Sequence, residues 1–264
     1  MTQCENHREN VMLGRRHLFL KGMAFTCGAC FTRFALGQFT PISAPPAPSY
    51  RAVAPACGID RLKNFASNTS VQRLASSGIS EVDRYIPEER RVLNRLFRVE
   101  PEFAFFDDGD QPQARTLMVG DTSEVLMGVG LIATEKLRYT TGWQTSLIGI
   151  LAHEWAHAFQ YSTRLQEKTF LWETHADYLA GWYLGSKVAM GLTSLDISIF
   201  AKSLYTRGST KGYFDPDDYG SPDTRIQAMK AGYVYGLSEF IPGMLPDLYS
   251  AVDDGYIFVQ NLRG

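Results

Sequence analysis

Histidine is scarce in this 264-residue chain: there are five, and only His153, His157 and His175 lie beyond residue 37. So few metal-binding side chains make their clustering informative. Cysteine is scarcer still, since Cys4, Cys27 and Cys30 precede residue 37 and leave Cys57 alone in the remainder. A single cysteine cannot close an internal disulfide, so residues 38–264 are expected to hold together by core packing. No apolar run reaches the roughly 20 residues needed to cross a bilayer, so no integral membrane span is expected in the mature chain. Nor is there a basic excess. Five Lys/Arg and two Glu fall in residues 1–37; of 26 Lys/Arg and 28 Asp/Glu in the whole chain, this leaves 21 and 26 for the rest, a net −5. A mildly acidic body argues against nucleic acid as a partner, because phosphate contacts need a concentrated basic face. Arg90, Arg91, Arg95 and Arg98 are expected to form a solvated helix face.

What is present divides the chain into three parts. Residues 1–37 read as an export signal. Arg15-Arg16-His17-Leu18-Phe19-Leu20-Lys21 is twin-arginine-like, an apolar run follows over residues 22–31, and Ala35-Leu36-Gly37 offers a small-x-small cleavage site. The expected location is therefore exported and periplasmic, with a lipid-anchored or signal-anchored form as the alternative. Cys27-Gly-Ala-Cys30 sits inside this apolar segment and reads as signal composition. Residues 38–59 form a linker that holds five of the twelve prolines. Residues 60–264 are expected to be one domain.

Within that domain, residues 60–97 carry a helical pattern, with Pro87 opening a helix whose apolar face is Val92, Leu93, Leu96 and Phe97. Short β-like runs follow at residues 102–106, 116–119 and 125–132, and Asp107-Asp108-Gly109-Asp110 is expected to be a solvated turn. Helices are expected at residues 145–161, 170–188, 195–205, 222–235 and 246–262. Ser221-Pro222-Asp223 is a strong start signal, with serine as cap and proline in the first turn. The pattern is α+β, a small sheet beside a mostly helical body. Residues 209–218 read as a lid or a connector.

The chemistry concentrates in His153-Glu154-Trp155-Ala156-His157. On a helix, residues four apart share a face, so both imidazoles can reach one metal ion, and Glu154 projects where a general base belongs. The third ligand is Glu173 or His175. Glu173 shares a face with Ala176, Asp177 and Ala180, small residues that let two helices approach closely. His175 shares its face with Tyr178, Leu179 and Trp182, bulkier and turned away. Catalytic zinc commonly takes two histidines and one carboxylate, which leaves a fourth position for water. Glu173 is favoured, with His175 as an outer or packing residue and Asp177 accepting the free N–H of a ligand imidazole. One Zn2+ per chain and a zinc-dependent hydrolase acting on protein or peptide are the expectation.

His153-Glu154-x-x-His157 followed by Glu173-x-x-Ala176-Asp177 resembles the gluzincin zinc metallopeptidases of the HtpX and CAAX-prenyl-protease type. Upstream, Glu124-Val-Leu-Met-Gly-Val-Gly-Leu-Ile132 resembles the strand and turn before their metal helix. Downstream, Tyr219-Gly-Ser-Pro222-Asp-Thr-Arg225-Ile226 resembles their late S/T-H-P…R-I segment, without its histidine. The resemblance covers residues 101–230 and, lacking transmembrane helices, is to the soluble, periplasmic BepA-like branch. It implies a zincin-like metallopeptidase core, an endopeptidase acting on misfolded or envelope proteins, and Glu154 as the proton carrier. For the oxyanion donor it leaves Arg225 and Tyr219 as candidates. The 125–132 strand is a candidate edge for an extended peptide. Two alternatives stand beside this: a non-catalytic, metal-bound chaperone-like or assembly module, and a zinc hydrolase of a non-peptide cell-wall amide. Oligomeric state is left open.

Overall fold

The computed structural model describes residues 71–164, 169–207 and 219–262. The expected export signal, the linker, residues 60–70 and the 209–218 segment lie outside the described residues. Within them, seven helices and one four-stranded sheet form a mostly helical α+β body. No described helix is long and apolar enough to cross a membrane.

Strand β1 (Arg73–Leu74) precedes helix α1 (Ser80–Phe97). The helical pattern expected over residues 60–97 is therefore corrected at residues 71–79, which hold a short strand and a turn. Ser76 Oγ and the Ser77 N–H both donate to Asp83, and Gly78 turns the chain at φ +75° before the helix begins. Pro87 does not open α1 but lies inside it. The buried stripe Val82, Ile86, Glu89, Leu93 carries the helix past the proline, which is exposed, so water can serve the carbonyl that loses its donor. Arg91, Arg95 and Arg98 are solvated as expected, whereas Arg90 is half-buried with its guanidinium 4.9 Å above the Phe103 ring.

Strands β2 (Glu102–Phe106), β3 (Ala114–Val119) and β4 (Thr122–Gly128) complete the sheet in the order β1-β2-β4-β3. β2 and β4 run parallel, Glu102 opposite Glu124, while β3 and β4 form an antiparallel hairpin. Its loop is Gly120-Asp121, with Gly120 at φ +63°, the first loop position where a type II′ turn needs glycine. The expected 125–132 strand stops at Gly128, where helix α2 (Val129–Arg138) begins. The cause is Asp108. Its carboxylate accepts from the N–H groups of Gly130 (2.6 Å), Leu131 (2.9 Å) and Gln113 (3.1 Å), satisfying the open donors of the first turn. Asp108 is thus buried, not part of a solvated turn. Because β4 has a partner on each side, it offers no edge; β3 does.

Helices α3 (Trp143–Ser162) and α4 (Thr169–Ala189) are buried on nearly every face. α3 packs on the sheet and on α1, where the Trp155 indole N–H donates to Asn94 at 2.8 Å and its ring lies 6.3 Å from Phe103. Helix α5 (Ile197–Tyr205) starts at an Asp196 cap, α6 (Pro222–Ser238) at the Ser221 cap with Pro222 in the first turn, and α7 (Leu248–Asn261) at an Asp247 cap.

The tightest junction is between α4 and α6. Gly181 and Gly185 of α4 face Gly232 and Gly236 of α6, and a Cβ at any of the four would overlap a carbonyl oxygen of the opposite helix. The two backbones touch. Gly232→Ala should therefore lose about 2 kcal/mol net in urea unfolding, although alanine gains about 1 kcal/mol of helix propensity, because a backbone cannot yield as a side chain can. A variant as stable as the wild type would show that the helices do not cross there.

Candidate metal centre

α3 presents His153 and His157 one turn apart, and α4 lays Glu173 across them. His153 Nε2 and His157 Nε2 are 3.0 Å apart; Glu173 Oε2 is 3.4 Å from the first, and Oε1 is 3.6 Å from the second. All three side chains are buried. A tetrahedral ion with ligands at about 2.0–2.1 Å sets ligand–ligand edges of about 3.3–3.4 Å, close to this triangle. The polar atoms point the same way. Glu173 Oε1 is enclosed with no hydrogen-bond donor among the described residues. Two ring nitrogens and a carboxylate facing one another in a dry interior can hold a cation between them.

No family model, curated protein or solved structure matches this chain. What the centre can do must be read from its own atoms.

The far side of each ligand is held. His153 Nδ1 stands 3.0 Å from Asp177 Oδ1, and Arg225 grips Asp177 with Nε at 2.6 Å from Oδ2 and Nη2 at 3.0 Å from Oδ1. Arg225 Nη2 also lies 3.5 Å from Glu173 Oε2, and Nη1 lies 3.4 Å from the Arg207 carbonyl. Arg225 thus stands behind the ligands, bound to two carboxylates. Tyr219 is half-buried beside Gly220, whose added Cβ would stand 3.1 Å from Thr174 Cγ2. His175 turns away from the triangle, towards Gln160 and the Val252 carbonyl.

Glu154 is buried next to the triangle, and the Thr116 hydroxyl of β3 lies 2.7 Å from its Oε2 and 2.8 Å from its backbone carbonyl. Burial raises the Glu154 carboxyl above its ordinary range. Burial also opposes ionisation of Glu173 and Asp177, but the imidazoles and Arg225 outweigh it and hold both below the usual carboxylate range. Burial pulls on His153 too; Asp177 and Glu173 overcome it and lift the imidazole to about 9. His157, desolvated and beside a charged His153, falls to about 4. Without a metal, one proton takes the cation's place.

Thr116, Gln160 and Trp172 were not among the sequence candidates. Gln160 follows His157 by three residues, a helical spacing that could have revealed it, and its Oε1 is 2.7 Å from His157 Nδ1. Trp172 stacks on the His157 ring at 5.7 Å and 10°. Thr116 is 38 residues from its partner, beyond any local signal.

The His153 proton has a measurable consequence. A histidine raised in the folded state stabilises fully below its unfolded value of 6.5, and loses that contribution as pH rises through about 9. Chelator-treated protein should therefore lose on the order of 3 kcal/mol of unfolding free energy between pH 6.5 and 9.5. Saturating zinc should remove the alkaline loss, because bound imidazoles carry no proton at the metal-facing nitrogen. A flat profile for the zinc-free protein would contradict the assigned charge state.

Proposed function

We propose that this protein is an exported zinc-dependent endopeptidase with a zincin-like core, a gluzincin of the HtpX and CAAX-prenyl-protease type in its soluble periplasmic form. The observation that carries the reading is the buried triangle of His153, His157 and Glu173 with Glu154 beside it. Structural zinc sites close the metal with four protein ligands, whereas three ligands and an adjacent carboxylate are the catalytic arrangement. A binding module has no use for the cost of burying Glu154.

Zinc held by His153, His157 and Glu173 would supply Lewis acidity and make bound water acidic near neutral pH. Asp177 Oδ1, 3.0 Å from His153 Nδ1, favours a proton there and leaves Nε2 to face the ligand triangle, and Arg225 keeps Asp177 ionised. Thr116 holds Glu154 Oε2. Glu154 takes the proton from the attacking water and passes it to the leaving amine; burial raises its pKa towards the range a proton carrier needs. Arg225 fits the part of a positioning residue better than that of an oxyanion donor, since its guanidinium is engaged by Asp177 and Glu173. Tyr219 stays the candidate for that donor.

The edge of the sheet supports a peptide as substrate. β3 is an edge strand, and its Thr116 reaches the general base, so a peptide added along Ala114–Val119 would run past Glu154. Glu154→Gln should lower hydrolysis of an unfolded protein such as casein by about 10²–10⁴-fold. It should keep one zinc per chain, while Glu173→Ala loses the metal. Full activity in Glu154→Gln would favour the assembly-module reading. Turnover of cell-wall amides without any proteolysis would favour the non-peptide hydrolase.

A further inference from the structure

Two buried polar residues beside the centre take no part in the hydrolysis described above. Gln160 is 1% exposed and His175 is 2% exposed. Gln160 Oε1 lies 2.7 Å from His157 Nδ1, and its Nε2 lies 3.0 Å from the Trp172 carbonyl and 3.1 Å from His175 Nδ1. On its other side, His175 Nε2 lies 3.1 Å from the carbonyl of Val252 in α7.

Carbonyl oxygens only accept, and one stands at each end of this chain. The Trp172 carbonyl requires the Gln160 NH2 on its side, which turns Oε1 towards His157. His157 must then donate from Nδ1, leaving the Nε2 lone pair aimed at His153 and Glu173. At the other end, the Val252 carbonyl requires a proton on His175 Nε2, so His175 Nδ1 is bare and accepts the second Gln160 N–H. Each hydrogen then has one donor and one acceptor. Reversing any link sets two donors or two acceptors face to face in a dry interior, where an unmatched polar group is costly.

The two metal histidines are thus oriented by different means. His153 has an anion behind it, Asp177, whose charge favours a proton on Nδ1. His157 has a neutral amide, which could face it either way round. Only the two carbonyls, acting through the chain, select one. Val252 belongs to α7, whose Gly255 packs directly on the Tyr178 ring and whose Asp254 accepts from the Tyr178 hydroxyl.

We propose that Gln160 and His175 are positioning residues that hold His157 as its Nδ1–H tautomer with Nε2 bare for the metal, and that through Val252 they make metal affinity depend on the seating of α7. The inference rests on the metal-centre reading above and extends it to a residue outside the ligand set and to the C-terminal helix.

Long-range 1H–15N correlation spectra of the full-length protein report imidazole tautomers directly. His175 should be protonated at Nε2 with and without zinc, and His157 at Nδ1 in the zinc form; His175 found protonated at Nδ1 would overturn the chain. Zinc affinity by chelator competition adds a second readout. Gln160→Leu should weaken it about 10–100-fold, and His175→Phe, which fills similar space but cannot accept from Gln160, about 10-fold. Near-UV circular dichroism separates misfolded variants. A folded Gln160→Leu that binds zinc like the wild type refutes the positioning role. A wild type that binds no zinc sinks the metal-centre reading instead, and the tautomers still decide whether the chain is ordered.

Discussion

Contact between the backbones of α4 and α6 determines where the charged half of the centre can form. With glycine at 181, 185, 232 and 236, no side chain separates the two helices, and Arg225 at the start of α6 meets Asp177 and Glu173 near the start of α4. An ion pair without water survives only when its geometry is good and its remaining polar atoms are satisfied. Here both Asp177 oxygens meet Arg225, Oδ1 also meets His153, and the guanidinium reaches the Arg207 carbonyl. Forcing the helices apart by one methyl layer would lengthen the contacts of Arg225 with Asp177 and Glu173 and weaken the compensation of their buried charges. The glycines lie outside the centre, yet the centre depends on them.

Both helices that carry the His153, His157 and Glu173 triangle are buried nearly all round, so most polar side chains on them are matched by groups inside the protein. Ser146 donates to Glu135, Glu154 has Thr116, His157 has Gln160, and His153 has Asp177. A second buried cluster pins the far end of α4. Lys187 Nζ lies 2.8 and 2.6 Å from the two oxygens of Glu89 in α1, which also accepts from Tyr183 at 2.5 Å and Tyr85 at 3.0 Å. Arg225 on one side and Glu89 at the far end tie α4 to α6 and to α1. A carboxylate on such an element keeps its distance from the two imidazoles, as a pre-organised group that could hold a metal ion requires.

Where the partner is local, the sequence was legible. Helical period placed His153 and His157 on one face and separated Glu173 from His175, and the structure brings the first three together while His175 turns to α7. Ser221 with Pro222 marked the start of α6 to the residue. Illegible were the features set by residues far apart in the chain. Asp108 ends a strand 20 residues later by capping the helix that follows. The stripe around Ile86 carries α1 through Pro87, where local rules start a helix. Thr116 meets Glu154 across 38 residues, and β3, not β4, became the edge through pairings no single strand reveals.

By itself, then, the order of residues determined which groups share a helix face, hence two imidazoles four apart with a carboxylate between them and a second carboxylate on the next helix. It also determined the glycine spacing, without saying what the glycines would meet. Only the tertiary structure decided that Arg225 would stand behind Glu173 and Asp177, that Gln160 and His175 would be keyed to a carbonyl of α7, and which of the described strands would end the sheet beside Glu154. The physical reason is range. Helical periodicity acts over about one turn. The orientation of a buried polar group is settled by whichever donor or acceptor packing brings to it from elsewhere in the chain.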